Sequence, residues 1–417
     1  MNRIGTLDEK HVTAMARLMR NAYPGYDITD EAQQNTEKWV KRLVSNASDE
    51  IGLGFFDESN QLLGGIQVLN RPMNLRMEEV NVIGLGGLCV DLLHKKKGIA
   101  LKLLEHAFIT GKNNGASMAI LDPFNIGFYK KMGCGISIKK HQFKLRPSQF
   151  SNVGDGSLVS ELKDEHFSSI MEYIHRYYLL HHGMLKMEEY EMQDILKTGL
   201  MTLGVWQQGQ LSGIMTIRFE RKAPPDLFKT NLVVEGFLYD DHMTAQAFMS
   251  FLNAQKDQVN QVIFTSQDNH FELNFQDPDT GDDETFHTRS NEMYRTGSGM
   301  MARILNVEKV LATVSVPAHE RNHFPVTIHI DDPLIEKLSG VWTLEAKEGK
   351  LRAYSADRTT KPDGTITIAD LASVIMGAAS IGSLVTYGLL VVHNHEKIEA
   401  LGRVLQYHQS PVCLSRF

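Results

Sequence analysis

The sequence predicts an α/β (α+β) protein built from three domains. The chain has 417 residues, which is more than one ordinary hydrophobic core holds. From the N-terminus onward, segments with a strand pattern alternate with segments of helical periodicity, as in mixed α/β domains. A second series of such segments begins near Ser151 and repeats the order of the first. The domain limits that we predict are residues 1–148, 149–292 and 293–417.

The first section has the elements of a self-sufficient α/β domain. A helical pattern runs through HVTAMARLMRNAY, and two strands around a turn at residues 58–60 are predicted in EIGLGFFDESNQLLGGIQVLN. A third, apolar strand is predicted in VIGLGGLCV, and apolar residues recur at helical spacing after Gly98. A further strand, GASMAILDP, ends at Pro123, and a short helix, IGFYKKMG, ends at Gly133.

The second section repeats this order with one difference. We predict a helix in HFSSIMEYIHRYYLL, a hairpin in TLGVWQQGQLSGIMTIRFE, a strand in VVEGFLYD and a helix in TAQAFMSFLNAQ. The junction between that strand and that helix, YDDHMTAQAF, has neither a basic run nor a glycine. The corresponding junction of the first section has both.

The third section begins near Tyr294, with a helix predicted in RILNVEKVLATV and strands in VTIHI and VWTLEA. Its uncharged segment LASVIMGAASIGSLVTYGLLVV, residues 371–392, is long enough to span a bilayer. The segment contains three glycines, three serines and a threonine, and no cluster of Lys or Arg flanks it. We therefore expect no membrane span but a helical segment buried in a domain, with Gly377 or Gly382 allowing a break.

Composition excludes several classes of partner. The chain carries 43 Lys and Arg against 50 Asp and Glu, a net charge of -7, so it lacks the basic excess typical of proteins that bind nucleic acid. The three cysteines, Cys89, Cys134 and Cys413, are far apart and show no CxxC spacing. No further ligand set accompanies His393 and His395, so we expect no metal. Few cysteines, and an N-terminus without signal-peptide features, favour a cytoplasmic protein.

The basic junction of the first section, CVDLLHKKKGIALKLL, has the layout of a phosphate site. Backbone N–H groups at the start of a helix lack partners, and the helix dipole adds positive charge there, so this end of a helix binds phosphate. Gly98 lets the backbone approach a ligand, and Ala100 keeps the next turn small. A solvated turn would explain three lysines equally well, but not their placement at this junction with a glycine and an alanine after them.

These residues resemble a known signature. Residues 95–100, KKKGIA, resemble the (Arg/Gln)-x-x-Gly-x-(Gly/Ala) motif with which GNAT N-acetyltransferases hold the pyrophosphate of acetyl-coenzyme A. The element HKKKG after VDLL is similar to the HRRRG element of the enhanced intracellular survival (Eis) acetyltransferases. FYKKMGCG matches the second GNAT element, and MMARILNVEKVL resembles the opening of the third domain of that family.

The resemblance covers essentially the whole chain. It implies tandem GNAT folds, the second without the phosphate site, followed by a sterol-carrier-protein-like domain. Lysines stand where the family has arginines, and Leu92 stands where a proline is frequent. Lysine acts as a point charge, which weakens bidentate contacts to phosphate but leaves the backbone contacts in place.

The resemblance implies acetyl-coenzyme A as co-substrate. The backbone of residues 88–90 is expected beside the acetyl group and the pantetheine arm, with the Val90 amide donating to the thioester oxygen. Residues 96–101 are expected around the pyrophosphate. Phe124 and Asn125 are expected near the thioester. The full set of expected cofactor contacts is Leu88, Cys89, Val90, Lys95, Lys96, Lys97, Gly98, Ile99, Ala100, Leu101, Phe124 and Asn125.

The resemblance also assigns two catalytic residues. Tyr129 stands at the position of the family's general acid, and a phenol, with a pKa of about 10, is neutral at pH 7 and can protonate a leaving thiolate. A core tyrosine on a short helix is the alternative that spacing leaves open. In the family the C-terminal carboxylate enters the active site as proton acceptor, and this chain ends in an aromatic residue, Phe417, as the family prefers. Asp91, directly after the cofactor strand, is the alternative base.

The resemblance implies an N-acetyltransferase of primary amines, and the family's acceptors include aminoglycosides and other polyamines. Tyr26 and Asp27 lie in the segment that helps line the family's acceptor pocket, and Asp27 could bind an ammonium group or lie in a surface turn. Arg416 argues against a strongly polycationic acceptor. We expect a homo-oligomer, a hexamer by resemblance. The alternatives are a lipid- or sterol-binding protein with a vestigial acetyltransferase domain, and a protein N-terminal acetyltransferase.

Overall fold

The computed structural model of the protein describes residues 2–25, 29–45, 50–197, 200–221, 230–280, 290–357 and 359–415. Within these residues, the strands are β1 Arg3–Thr6, β2 Glu50–Phe56, β3 Leu62–Leu75, β4 Glu78–Val90, β5 Met118–Leu121, β6 Gly135–Ile136, β7 Lys139–Leu145, β8 Val159–Glu161, β9 Met201–Gln207, β10 Gln210–Arg221, β11 Thr230–Tyr239, β12 Val259–Ser266, β13 Arg295–Ser298, β14 Met301–Ile304, β15 Val326–Asp331, β16 Gly340–Lys347, β17 Lys350–Ser355, β18 Gly364–Thr367 and β19 Leu390–Val392. The helices are α1 Val12–Ala22, α2 Asp30–Val44, α3 Ile99–Asn113, α4 Ile126–Lys130, α5 Phe167–Leu180, α6 Glu189–Lys197, α7 His242–Ala254, α8 Val307–Leu311, α9 Ile368–Ile375, α10 Ile381–Thr386 and α11 His395–Leu405.

The chain divides into two compact units. One contains residues 2–137 and Met300–Gln409, and the other contains Ile138–Gly299 and Ser410–Ser415. Each unit combines helices with mixed sheets, so the predicted α/β (α+β) class is confirmed.

The larger sheet of the first unit has the order β1-β2-β3-β4-β5-β14-β6. All described pairs are antiparallel except β4 and β5, which run parallel from Val82 opposite Met118 to Leu85 opposite Leu121. The helix α3, which connects these two strands, buries Leu103, Leu104, Ala107 and Phe108 in the core with the sheet, since these positions share one helical face. The predicted strands and helices of the first section are therefore present.

Strand β14 corrects one prediction. The segment RILNVEKVLATV was predicted to be one helix, but Met301–Ile304 form a strand between β5 and β6, and the helix α8 begins only at Val307. The side chain of Asn306 starts that helix by accepting a hydrogen bond from the N–H of Lys309. A short apolar run does not distinguish a buried strand from a buried helix.

The smaller sheet of the first unit has the order β17-β16-β15-β18-β19, and α9, α10 and α11 accompany it. Residues 371–375 of the long apolar segment are buried in α9, as predicted, and the helix ends before Gly377, which has a φ of 77°. The rest of the segment is not buried as predicted, because Tyr387, Leu389 and Val391 are exposed. The chain then forms the short helix α10 and the edge strand β19 instead of continuing as helix. None of the described helices is both long enough and apolar enough to cross a membrane.

Arg76 links the larger sheet of the first unit to the helices α9 and α11. It lies in the turn between β3 and β4, and its guanidinium donates to the backbone oxygens of Ile375 at 3.1 Å and Leu405 at 2.5 Å. These carbonyls belong to the last turns of α9 and α11, where helix carbonyls lack intrahelical partners. Burial lowers the pKa of Arg76 to about 10. One buried cation thus completes the ends of two helices.

The second unit has one sheet, in the order β13-β7-β12-β11-β10-β9-β8, with α5, α6 and α7. Its parallel pair, β11 and β12, runs from Thr230 opposite Val259 to Val234 opposite Phe264. At the start of α7, the carboxylate of Asp241 accepts a hydrogen bond from the N–H of Thr244 at 2.8 Å. The helix start that follows β11 is therefore occupied by a carboxylate of the chain itself.

Candidate active site

Strand β4 extends beyond its parallel partner. Its ladder with β5 ends at Leu85, whereas the antiparallel ladder with β3 continues to Val90. A bulge interrupts that second ladder, because Gly87 and Leu88 together lie opposite one residue of β3. The last five residues of β4 consequently have one edge that no strand of the described chain covers.

The N–H of Val90 points to this open edge. The next residue, Asp91, donates its N–H to the Leu63 carbonyl on β3 at 2.8 Å. Backbone N–H groups alternate in direction along a strand, so the Val90 N–H and the Leu88 carbonyl both face away from β3. The strand therefore presents one donor and one acceptor on the side where β5 has ended.

The N-terminus of α3 has no side-chain cap. Gly98 caps the helix with a φ of 76°, in the left-handed region that favours glycine, and it supplies no side-chain hydrogen bond. Among the described residues, the first N–H of this helix to reach a backbone acceptor is that of Lys102, which donates to the Gly98 carbonyl at 3.0 Å. A side chain at Gly98 would meet open space. The N–H groups of the first turn are thus available to an anion.

The lysine run stands next to this helix start. The side chains of Lys95, Lys96 and Lys97 are exposed, and none of them forms an ion pair within the described part of the chain. Lys96 has a φ of 63°, which is uncommon for a residue with a side chain and recurs at functional sites. Positive charge therefore surrounds the available N–H groups.

Tyr129 lies on α4 and is almost completely buried, with 4% of its surface exposed. Its ring meets those of Phe124 and Phe128 edge to face, at 5.3 and 5.1 Å between centroids. Burial, followed by the neighbouring Tyr23 and Cys134, raises the pKa of Tyr129 well above its ordinary value. The phenol is thus held in the protonated form.

Two flanking residues form the turn that leads into α4. The side chain of Asn125 caps the helix by accepting a hydrogen bond from the N–H of Phe128 at 2.8 Å. Phe124 is 62% exposed although its ring contacts Tyr129. A large exposed ring beside a buried phenol is suited to contact a ligand.

A buried ion pair fixes the other end of the α4 segment. The guanidinium of Arg303, on β14, donates to the carbonyl of Met132 at 2.5 Å and to the carboxylate of Asp332 at 2.6 Å. Arg303 and Asp332 have fully buried side chains, and Arg303 also lies over the ring of Phe108. The position of the Tyr129 helix thus depends on residues from the C-terminal part of the chain.

Tyr23, which was not among the predicted site residues, links the end of α1 to the open edge of β4. Its hydroxyl donates to the Leu88 carbonyl at 3.0 Å, on the open edge of β4. Leu88 and Tyr129 also belong to one hydrophobic cluster, and Val90 packs against that cluster. Tyr129 and the open end of β4 are thus parts of the same cluster.

The thiol of Cys89 does not face the open edge. It lies 3.7 Å from the sulfur of Met15 and 3.7 Å from the Gly65 carbonyl, and burial raises its pKa to about 12. Only the backbone of Cys89 remains available as part of β4.

The carboxylate of Asp91, the alternative base, makes its contacts within its own turn. Its carboxylate accepts the Leu93 N–H at 3.0 Å and lies 2.8 Å from Nδ1 of His94. The hydrogen bond with His94, more than any other contact, lowers the pKa of Asp91. A carboxylate with a lowered pKa is a weaker proton acceptor.

Three predicted site residues, Tyr26, Asp27 and Phe417, lie outside the described residues. Within the described part of the chain, no three or more His, Cys, Asp or Glu side chains lie together as they would around a metal ion.

Comparison with known families assigns two parts of the chain. Residues 3–137 match the family described as "Acetyltransferase (GNAT) domain", and residues 307–414 match the family described as "Sterol carrier protein domain". The predicted combination of these two kinds of domain is therefore confirmed. No curated protein sequence is significantly similar to the chain.

Solved structures share the fold over the whole chain. A GCN5-related N-acetyltransferase from Anabaena variabilis has a TM-score of 0.82 at 16% identity, with 100% of both chains covered. A conserved protein of unknown function from Enterococcus faecalis, described as a probable N-acyltransferase, has a TM-score of 0.78 at 15% identity, again with 100% of both chains covered. Eis1 from Mycobacterium abscessus has a TM-score of 0.77 at 16% identity, with 100% of both chains covered. At such low identity, these likenesses establish the shared fold.

Proposed function

We propose that the protein transfers acetyl from acetyl-coenzyme A to primary amines. Residues 3–137 match the acetyltransferase (GNAT) domain family, which supports this activity, and residues 307–414 match the sterol carrier protein domain family. One observation carries the proposal. Tyr23 binds the Leu88 carbonyl on the open edge of β4, and Leu88 and Tyr129 share one hydrophobic cluster against which Val90 packs; this supports a backbone donor and a phenol acting on one thioester.

The proposed cofactor contacts follow the course of the chain after β4. The pantetheine arm lies along the open edge of residues 88–90, and the pyrophosphate lies at the start of α3. The uncapped N-terminus beyond Gly98 and the exposed, unpaired lysines at positions 95–97 support this assignment. Phe124 and Asn125 lie near the thioester, which the contact of Phe124 with Tyr129 supports.

The proposed reaction is a direct transfer. The acceptor nitrogen attacks the carbonyl carbon of the thioester, so a C–N bond forms and negative charge builds on the oxygen. The N–H of Val90 stabilises that charge, since a fixed donor costs no reorganisation during the reaction. The C–S bond then breaks, and the Tyr129 hydroxyl gives its proton to the leaving thiolate.

The C-terminal carboxylate of Phe417 accepts the proton that the acceptor nitrogen loses, directly or through water. The carboxylate of a chain terminus is ionised at neutral pH, so it can also hold an ammonium group. The engagement of Asp91 with His94 and with the N–H of Leu93 supports this choice over the alternative base.

The acceptor, the location and the assembly are proposed by resemblance. Aminoglycosides and other polyamines are the acceptors that we propose, with Tyr26 and Asp27 in the acceptor pocket. The protein works in the cytoplasm as a homo-oligomer, a hexamer, without nucleic acid. All three cysteines are buried and none of them forms a disulfide, which supports a reducing compartment.

A lipid-binding function is the second candidate, because the sterol carrier protein domain contains a cavity of about 790 Å³. Apolar side chains such as Val374 and Ile398 line it, but so do Glu399 and Arg403. Ligand pockets of this size are lined mainly by apolar groups. The presence of both Tyr129 and an aromatic C-terminal residue favours the acetyltransferase over a vestigial domain.

The release of coenzyme A from acetyl-coenzyme A tests the proposed function. The assay compares simple primary amines, aminoglycosides and peptides, each against a blank without acceptor. We expect amine-dependent release with small amines. Release with peptides alone would identify a protein N-terminal acetyltransferase. Saturable binding of lipid without any acetyl transfer would favour the lipid-binding function.

A further inference from the structure

Arg303 holds the backbone at the end of the α4 segment through a buried ion pair. The side chains of Arg303 and Asp332 are both fully buried, and Nη2 of the arginine lies 2.6 Å from the carboxylate. Its Nη1 donates to the carbonyl of Met132 at 2.5 Å, and the guanidinium lies 4.9 Å from the ring centroid of Phe108. Leaving a buried guanidinium without acceptors is costly, so this arrangement fixes the Met132 carbonyl.

The Met132 carbonyl belongs to the turn that ends the helix of Tyr129. The carbonyl of Tyr129 accepts the N–H groups of Met132 at 2.9 Å and of Cys134 at 3.1 Å. Gly133, between these two donors, has a φ of 76°, and a side chain there would collide with the guanidinium of Arg303. The guanidinium is therefore separated from the backbone of Tyr129 by a single hydrogen-bonded turn.

The carboxylate of Asp332 is itself held by the loop after β15. Its Oδ1 accepts the N–H groups of Leu334 and Ile335, each at 2.9 Å, and its own N–H donates to Oγ of Ser339 at 2.8 Å. Leu334 and Ile335 also pack against the hydrophobic cluster that contains Tyr129. This loop thus contributes both the charge that pairs with the guanidinium and apolar contacts to the cluster of the phenol.

Helix α9 lies against the same segment. Nζ of Lys130, the last residue of α4, is 3.8 Å from Oδ1 of Asp370. A side chain at Gly135, on β6, would collide with the carbonyl of Ala369. The helix α9 and the loop after β15 both lie within residues 307–414, which match the sterol carrier protein domain family. That domain therefore contacts the Tyr129 segment through a loop and a helix.

We propose that Arg303 is a positioning residue for acetyl transfer, and that the sterol carrier protein domain serves to hold the helix of the general acid. The inference rests on the proposed function, in which Tyr129 gives its proton to the leaving thiolate. Arg303 acts through Tyr129, because it fixes the turn after α4 and hence the direction of the phenol. Proton transfer requires the donor within hydrogen-bond reach, and a displacement of about 1 Å can lower a rate about 100-fold.

The test removes the guanidinium together with its negative partner. Arg303→Met alone would leave the carboxylate of Asp332 buried without its cation, which is strongly destabilising. The double variant Arg303→Met/Asp332→Asn has no charge at this pair, and the new amide oxygen can still accept the N–H groups of Leu334 and Ile335. We expect its kcat to fall about 10- to 100-fold while the calorimetric affinity for acetyl-coenzyme A changes little.

Arg176, in the second unit, provides a matched control. Its guanidinium donates to the carbonyl of Leu211 at 2.6 Å and to the carboxylate of Asp240 at 2.8 Å, and it lies over the ring of Tyr173. Arg176→Met/Asp240→Asn therefore removes the same set of contacts from a helix that has no part in the proposed reaction. Its kcat should equal that of the wild-type protein.

The same double substitution in the Tyr129→Phe protein separates positioning from a general effect on the fold. If Arg303 acts through the phenol, the substitution should lower kcat in the wild-type background and have almost no further effect once the phenol is absent, because residues that act together are not additive. Equal factors in both backgrounds would overturn the positioning role, and so would an unchanged kcat in the wild-type background.

The ionisation of the phenol provides a spectroscopic readout. Burial raises the pKa of Tyr129, and a loosened turn would admit water, so the phenol should ionise at lower pH in the double variant than in the wild-type protein. Ultraviolet difference titration against Tyr129→Phe in each background measures this shift, and an unchanged titration would overturn the proposal. If the double variant fails to fold, Arg303→Lys provides the same comparisons, since an ammonium keeps the charge but lacks the fork that reaches two acceptors.

Tyr129→Phe by itself separates this inference from the proposed function. Loss of turnover in Tyr129→Phe, with full turnover in Arg303→Met/Asp332→Asn, would overturn only the positioning role of Arg303. Full turnover in Tyr129→Phe would overturn the phenol as general acid, and the inference with it.

Discussion

The hydroxyl of Tyr23 donates a hydrogen bond to the backbone oxygen of Leu88 over 3.0 Å. The residues are 65 positions apart, and the contact joins the end of α1 to the bulged part of β4. Because the Leu88 carbonyl and the Val90 N–H face the same side, this one bond helps to fix the strand that carries the proposed oxyanion donor.

Replacement of Tyr23 by Phe should lower kcat/KM about 5-fold. A single hydrogen bond contributes about 1 kcal/mol, and here its loss loosens the strand while leaving the packing of the ring intact. Steady-state kinetics with a saturating amine provide the measurement. Tyr387→Phe, at a 75% exposed tyrosine, is the matched control and should leave the rate unchanged. Wild-type kinetics in Tyr23→Phe would show that the bond has no part in transfer.

Replacement of Gly98 by Glu should raise the KM for acetyl-coenzyme A by about 100-fold. The new carboxylate would repel phosphate at the helix N-terminus, which otherwise favours the negative charge of the ligand. In addition, a residue with a side chain is strained at a φ of 76°. Calorimetric titration with coenzyme A measures the loss of affinity.

Gly209→Glu provides the control for this change. Gly209 has a φ of 82° and open space around it, so the substitution introduces the same strain and charge in the hairpin between β9 and β10. Equal affinities of the two variants for coenzyme A would place the pyrophosphate elsewhere.

Replacement of Tyr129 by Phe should lower kcat by about 100-fold or more while the affinity for acetyl-coenzyme A changes little. Only the phenolic proton is lost, and general acids of this kind contribute about 100- to 10,000-fold. The comparison of kcat with the calorimetric affinity separates a catalytic role from a structural one. Intact turnover would make Tyr129 a core tyrosine.

Tyr129 should stay protonated at pH 10, where an ordinary tyrosine is half ionised. Burial disfavours the phenolate and so raises the pKa above the ordinary value of 10.0. Ultraviolet difference titration of the wild-type protein against Tyr129→Phe isolates this residue. We expect the phenolate signal in the difference to appear only above the pH at which an ordinary tyrosine ionises. A transition near pH 10 would mean that water reaches the phenol freely.

Much of the fold could be predicted from the sequence because its elements are strongly periodic. The helix after Gly98 and the apolar strand before it occur as expected, since local patterns suffice to define them. The strand β14 could not be found in this way. Its partners, β5 and β6, lie more than a hundred residues earlier in the chain, and only their pairing decides that the run MARI is extended.

The candidate site was partly predictable for the same reason. Gly98 and its lysines form a local motif, whereas the contact of Tyr23 with Leu88 joins residues that are far apart in sequence. One signal was present: Gly86 and Gly87 inside an apolar strand are typical of a bulge, which re-aims a strand beside a binding site. Nothing local marks Tyr23.

A short polar extension after Phe417 tests the proposed base most directly. The measurement compares the rate of amine acetylation by the extended protein with the rate of the protein whose chain ends at Phe417. The extension replaces the terminal carboxylate by an amide, which neither accepts a proton at neutral pH nor attracts an ammonium group. Phe417→Leu, in which the chain end stays free, serves as the control and should lower kcat less than the extension does. We expect the extended protein to lose at least about 100-fold in kcat while its affinity for acetyl-coenzyme A persists, as for loss of a catalytic base. Equal rates would place the chain terminus outside the chemistry and leave Asp91 as the candidate base.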